Sequence, residues 1–308
     1  MTSKVVRKPD ITPGGPVGRW FVGALMSWLR WLAPTTRRGL ASFVGAVAWH
    51  LGIRRGVALD NLAHAFPEKP ADERRAIARG VYESLALAAV EAVTSDLIPG
   101  AELTQTVEIA DWKGLDVLVD GHQPVLIASA HLGSWELFAE VMARRGCQLS
   151  AVVRPLAGAF NEWVVKNRKA AGVELILQRG ALRRMVSALG RGRAVVQLID
   201  QVLPAKSGVF VPFFGRLAST TPAISMAARV TKAPVYVVAA VRDRERLKML
   251  VEGPVPFPEL GDKERELTEH TARLTAIIEA LIRQYPEQWL WLHRRWKVAP
   301  PASPEPRS

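Results

Sequence analysis

From Pro124 onward, short apolar runs alternate with amphipathic segments of helical period. The runs are VLIASA (125–130), LSAVV (149–153), VELIL (173–177), AVVQLI (194–199) and, later, VYVVAAV (235–241). Between the first four lie LFAEVMARRG (137–146), AFNEWVVKNRKAAG (159–172) and ALRRMVSALGRG (181–192). Strands that are apolar on both faces must be covered on both, and their alternation with helices makes the pairing mostly parallel. The pattern therefore predicts an α/β fold with a mostly parallel central sheet flanked by helices, and it contains no internal repeat.

The N-terminal part follows a different pattern. Residues 20–29 are uncharged and end at Arg30, and residues 39–53 are bounded by Arg37-Arg38 and Arg54-Arg55. Both fall short of the roughly 20 apolar residues that a spanning helix needs. We read them as helices lying in or against a bilayer. A span over residues 21–34 with Arg19 and Arg30 reaching back to the interface, or two ordinary buried helices, are the alternatives. The expected organisation is a loosely ordered start (1–16), a membrane-associating helical region (17–56), one large α/β domain (57–297) and a loosely ordered tail (298–308). The start lacks the charged, apolar and small-residue regions of a secretory signal, so no cleaved signal peptide is expected.

Composition narrows the partners. With 308 residues, 49% hydrophobic and 23% charged, the chain has the make-up of a folded protein. Its 41 Lys and Arg against 29 Asp and Glu give a net charge of +12, which favours anionic surfaces. The only cysteine, Cys147, excludes an internal disulfide. Four of the ten tryptophans, Trp20, Trp28, Trp31 and Trp49, lie in the first fifty residues near arginines, a combination common at membrane interfaces.

In open parallel sheets ligands collect at the carboxyl ends of strands. His131, Arg154 and Asp200 each directly follow an apolar run, so three polar groups are brought to one edge. His131 also opens the sequence His131-Leu-Gly-Ser-Trp-Glu136 at a strand-to-helix junction. On one helix the two side chains would point about 140° apart, from 3.6 residues per turn. They meet if His131 stands on the loop and Glu136 in the first turn, with Gly133 as turn residue and Ser134 as N-cap. Such a pair suits the attack of an alcohol on a thioester. Imidazole takes the hydroxyl proton, and the carboxylate fixes its tautomer and stabilises the imidazolium. A structural hydrogen bond is the other reading of this spacing taken alone.

Other chemistries lack their motifs. A metal-dependent hydrolase using His122, His131, Glu136, Asp200 and His293 would need a spacing such as H-E-x-x-H, and no metal is expected. The G-x-S-x-G elbow of serine hydrolases does not surround Ser134. There is no nucleotide fingerprint, so no cofactor is expected, and no nucleic-acid-binding motif. A basic, non-catalytic lipid-binding protein, acting through Arg37-Arg38, Arg54-Arg55, Arg183-Arg184 and Arg294-Arg295, is the rival that needs no chemistry.

Several blocks in order resemble one family. They are RGVALDNLAHAFP (55–67), the His131–Glu136 motif, Val153-Arg154-Pro155, Asp200-Gln201 followed by VPFFG (211–215), and PEQWLWLHRRWK (286–297). Together they are similar to the late acyltransferases of lipid A biosynthesis, within the wider H-x₄-D/E glycerolipid acyltransferases. The resemblance implies a glycerolipid acyltransferase-like fold at the cytoplasmic face of an inner membrane. It implies transfer of a fatty acyl group from an acyl-carrier-protein thioester, or from acyl-coenzyme A, to a hydroxyl of a hydroxyacyl chain on a lipid A precursor, an anionic glycolipid. Another glycolipid or phospholipid acceptor is the alternative.

By the same resemblance His131 is the base and Glu136 its partner. Arg154 contacts Glu136, the developing oxyanion or a substrate phosphate, and Asp200 and Gln201 lie near the site. Phe210, Phe213 and Phe214 are candidates for an acyl groove, with core packing as the plain alternative. Trp289, Trp291 and His293 alternate as on a strand. Arg294, Arg295 and Lys297 then present charge to a bilayer or to phosphates, unless they form only a solvated basic end.

Overall fold

The computed structural model describes residues 15–97, 107–109, 124–154, 158–243 and 246–301. His122 and most of the two ends expected to be loosely ordered lie outside them. The chain opens with four helices, α1 (Pro16–Trp31), α2 (Pro34–His50), α3 (Arg55–Ala65) and α4 (Ala71–Thr94). Proline at the first turn of both α1 and α2 starts each helix where its missing N–H costs nothing. Gly45 of α2 lies against the backbone at Tyr82 and Glu83 of α4, so close that a Cβ would sit 2.9 Å from those atoms.

A central sheet of seven strands follows among the described residues, in the order β1-β9-β8-β2-β5-β3-β4. Its strands are β1 (Val107–Ile109), β2 (Val125–Ser129), β3 (Leu149–Val153), β4 (Glu174–Leu177), β5 (Ala194–Leu198), β8 (Val235–Asp243) and β9 (Arg246–Glu252). Only the β8–β9 pair is antiparallel. Helices α5 (Trp135–Arg144), α6 (Ala159–Ala170), α7 (Ala181–Gly190), α8 (Ala223–Thr231) and α9 (Lys263–Gln284) complete the layers. The architecture is the mixed α/β arrangement that the hydropathy pattern predicts. All five residues of β2 are buried, as a central parallel strand requires. Two apolar clusters lie on opposite faces of the sheet: Leu126 and Ala128 of β2 face one, Val125 and Ile127 the other.

The pattern does not announce β1, β9 or the hairpin that precedes α8. Strands β6 (Val209–Phe213) and β7 (Arg216–Thr220) form a hairpin closed by Phe214 and Gly215, both at positive φ. Phe213 and Phe214 are buried in an aromatic cluster with Trp289, Trp291 and Trp296. They are interior packing residues, while Phe210 is half-buried.

The C-terminal segment is also not the strand that its alternation suggested. It makes a 3-10 turn at Pro286–Gln288 and one bridge, Leu132 to Trp289, and then tightens through bonds from Trp291 N–H to Trp289 C=O and from His293 N–H to Leu290 C=O. The physical reason is its route across the carboxyl edge of the sheet, where its backbone bonds the His131 loop. Leu290 N–H donates to His131 C=O and Gly133 N–H to Gln288 C=O. Asn61 of α3 holds the same segment with 2.8 Å bonds to the carbonyls of Trp291 and His293.

Candidate active site

The end of β2 delivers His131 and the end of β5 delivers Asp200, on strands paired directly side by side. Asp200 is buried, and its carboxylate is satisfied on both oxygens. Oδ1 meets His131 Nδ1 at 2.8 Å, while Oδ2 accepts from the His131 backbone N–H at 2.8 Å and from the Trp289 indole N–H at 2.9 Å. A carboxylate at Nδ1 places the proton there and leaves Nε2 as the acceptor. At Nε2 stands the side-chain amide of Gln201, 3.3 Å away.

The expected His131–Glu136 hydrogen bond is therefore replaced by His131–Asp200. Glu136 stands in the first turn of α5 and turns to Arg168 of α6, which binds it through both Nε, at 2.9 Å, and Nη2; the Trp135 indole donates to the same carboxylate at 3.1 Å. The reason is tertiary: α6 brings a guanidinium fork to the carboxylate, a stronger two-bond partner than one imidazole nitrogen. Glu136 still acts on His131 through its charge.

The loop between these groups is tightly specified. Gly133 has φ +62°, and a Cβ there would collide with the Ala240 carbonyl oxygen, so only glycine fits. Ser134 N–H donates to that carbonyl at 2.7 Å. The Ser134 hydroxyl does not cap α5 as expected, but joins Glu91 of α4 and Arg242 of β8 in a polar cluster.

The remaining sequence candidates are spread out. Arg154 is exposed at the end of β3, and of the three contacts expected for it the one with Glu136 is made by Arg168. His293 accepts the Val202 N–H at Nε2, 3.2 Å, and burial takes its pKa down to about 4, so it is a neutral structural acceptor. Arg294 and Lys297 are exposed. Arg295 is fully buried over Phe213, donating to Ser219 C=O and to the Thr220 hydroxyl. Of the expected basic cluster, then, one member is a core residue. Arg168, Trp289 and Asn61 were missed as parts of the site. Trp289 and Asn61 sit inside resembling blocks, whereas Arg168 reads as an ordinary helix cation.

Beside Glu136 and Arg168 an apolar cavity of about 190 Å³ opens between α4, α5 and α6. Leu85, Ala88, Ala92, Ala139 and Ala171 are among its lining residues, with the ion pair on its polar side.

Burial lowers the His131 pKa, but the charge and hydrogen bond of Asp200, helped by Glu136, prevail and raise it above the ordinary value. Burial likewise opposes ionisation of Asp200, yet His131 and the donated hydrogen bonds hold its carboxyl well below the usual range. The Asp200 contribution to stability is present above its unfolded pKa and is lost as pH falls through the depressed folded value. The His131 contribution is present below its unfolded pKa and is lost as pH rises through the raised folded value. Asp200→Asn should bring the His131 imidazole titration, followed by NMR, down to a lower midpoint. It should also destabilise the fold by about 3–5 kcal/mol at neutral pH in denaturant melts, as expected when one partner of a buried pair is removed. An unchanged His131 midpoint would refute the pairing as the cause of its basicity.

With this geometry in place, comparison with known proteins gives the class. A family model described as bacterial lipid A biosynthesis acyltransferase matches residues 10–298. The chain is 29% identical to the lipid A biosynthesis palmitoleoyltransferase of Escherichia coli (strain K12) over 287 residues, which are 91% of each chain. The lauroyltransferase of the same organism is 26% identical over 247 residues, 79% of each chain. Its myristoyltransferase is 25% identical over 296 residues, 94% of this chain and 90% of the relative. Since the family match spans almost the whole chain and encloses the His131–Asp200 site, this protein is an acyltransferase and belongs to the bacterial lipid A biosynthesis acyltransferase family.

Proposed function

We propose that this chain transfers a fatty acyl group from an acyl-carrier-protein thioester to a hydroxyl on the acyl chains of a lipid A precursor, at the cytoplasmic face of the inner membrane. The observation that carries the reading is His131, whose Nδ1 is held by a buried carboxylate while Nε2 faces a group that a substrate can displace. His131 Nε2 takes the proton of the acceptor hydroxyl as its oxygen attacks the thioester carbonyl. The same proton then goes to the departing thiolate. Asp200 orients the ring and stabilises its charged form, and Glu136 adds negative charge nearby. No enzyme nucleophile is needed.

The fatty chain lies in the apolar cavity between α4, α5 and α6, not against Phe210, Phe213 and Phe214. Each buried methylene contributes about 0.8 kcal/mol there. The +12 charge suits an acidic carrier and an anionic acceptor.

The N-terminal helices supply the membrane contact. On α1, Val17, Trp20, Phe21, Trp28 and Trp31 share one face and are exposed, Trp31 to 91%, while Met26 and Leu29 turn inward. On α2, Phe43, Val44 and Val47 are exposed as well. Among the described residues no helix is long and apolar enough to cross a membrane, and the exposed faces suit helices lying in the interface.

Three measurements test this reading. In detergent, the wild type should transfer labelled acyl groups from acyl carrier protein to a tetra-acylated lipid A precursor, and His131→Ala should transfer at least about 10²-fold more slowly. Product only with another lipid acceptor, or only from acyl-coenzyme A, would discard that part of the assignment; equal rates in both proteins would discard the mechanism. In the same assay with donors of graded length, Ala92→Phe should move the preference to shorter chains, and an unmoved preference would take the chain out of this cavity. A triple change of Trp20, Trp28 and Phe43 to Ser should abolish flotation with anionic vesicles, and full retention would sink the membrane role of these faces.

A further inference from the structure

We propose that Gln201 is a catalytic residue whose side-chain amide donates to the oxyanion that develops on the attacked thioester carbonyl. The assignment rests on the acyl-transfer reading and deepens it. As the acceptor oxygen bonds to the carbonyl carbon, the π pair moves to the carbonyl oxygen while the hydroxyl proton passes to His131 Nε2. When the intermediate collapses, the C–S bond breaks and the thiolate receives that proton, leaving an ester, a free thiol and neutral imidazole. Between these events a full charge sits on one oxygen, and donors fixed beside it are among the largest contributions to the rate.

Peptide N–H groups are frequent oxyanion donors, and four of them in the loops around His131 are already engaged. His131 N–H goes to Asp200, Gly133 N–H to Gln288 C=O, Ser134 N–H to Ala240 C=O and Val202 N–H to His293. The Trp135 indole and the Arg168 fork are committed to Glu136. Among the described residues around Nε2, the Gln201 amide stands apart. Its partner, at 3.3 Å, is the very nitrogen that an incoming hydroxyl must claim. Substrate binding therefore releases this amide beside the carbonyl that the hydroxyl attacks, with no other bond to break.

Its backbone is held in place for that task. Residue 200 is anchored through its carboxylate and residue 202 through its N–H on His293, so the intervening residue is fixed on both sides. Burial holds the His293 pKa down at about 4, so its Nε2 is an acceptor at neutral pH.

Gln201→Ala and the near-isosteric, uncharged Gln201→Met test the assignment in the detergent assay with acyl carrier protein donor and lipid A precursor, beside wild type and His131→Ala. Folding of each variant is checked by thermal melting. Both Gln201 variants should lose about 10²–10³-fold in kcat with little change in KM, the range for losing one oxyanion donor. The pH limb set by His131 should stay in place. A near wild-type kcat with raised KM makes Gln201 a binding residue only and overturns the assignment, as does a loss of rate explained by a displaced His131 limb. Wild type without transfer would overturn the function itself, and this assignment with it; transfer lost in His131→Ala but intact in Gln201→Ala overturns this assignment alone.

Discussion

The buried carboxylate of Asp200 is the constraint around which the carboxyl edge of the sheet is arranged. An ionised carboxylate away from water is costly unless its lone pairs are met, and here three donors meet it from two different parts of the chain. Two come from residue 131 at the end of β2, and one from Trp289 in the C-terminal segment. Each donor fixes a different element: the ring, the loop that carries it, and the strap that closes over both. Take the carboxylate away, and the histidine loses its tautomer while Trp289 loses its indole acceptor. The single group therefore couples the chemistry of the site to the closing of the fold.

That coupling explains why distant sequence blocks belong together. Asn61 of α3 holds the carbonyls of Trp291 and His293, and His64 bonds the Phe214 carbonyl at 2.9 Å. Phe213 and Phe214 pack against Trp289, Trp291 and Trp296, and Arg295 lies over Phe213. The hairpin, the third helix and the C-terminal strap thus form one aromatic body behind Asp200. Its bulk rings supply apolar burial, while the indole N–H of Trp289 meets the carboxylate and that of Trp291 meets Pro286 C=O. A site built this way has little freedom to shift its base relative to the sheet.

Much of the sheet was legible because period and burial report on backbone neighbours. The five apolar runs are strands, and His131 and Asp200 stand at the ends of two that pair. What period does not report is which side chain meets which across the fold. The His131–Glu136 spacing looked like a local pair, yet Arg168, 32 positions further on, takes the carboxylate. The alternation of Trp289, Trp291 and His293 looked like one face of a strand. It arises instead because a tight, hydrogen-bonded strap buries both tryptophans in the same aromatic body. The short edge strand β1 and the hairpin at 209–220 carried no clear period, the latter because Pro212 interrupts it.

The same displacement changes what the second acidic residue of the motif does. If Glu136 held the ring, one carboxylate would be both orienting partner and local charge, and its neutralisation would remove both effects at once. With Asp200 bonded to the imidazole and Glu136 bonded to Arg168, the two effects sit on separate groups. Orientation comes from the buried partner, whose ionisation its hydrogen bonds protect. The outer carboxylate biases His131 through space while anchoring a guanidinium at the side of an apolar cavity. The pair Glu136–Arg168 has exposed side-chain surface, so solvent and a substrate can alter it without disturbing Asp200. In the proposed reaction the motif then spans two tasks: its histidine belongs to proton transfer, and its glutamate to the boundary between that chemistry and the proposed space for an acyl chain.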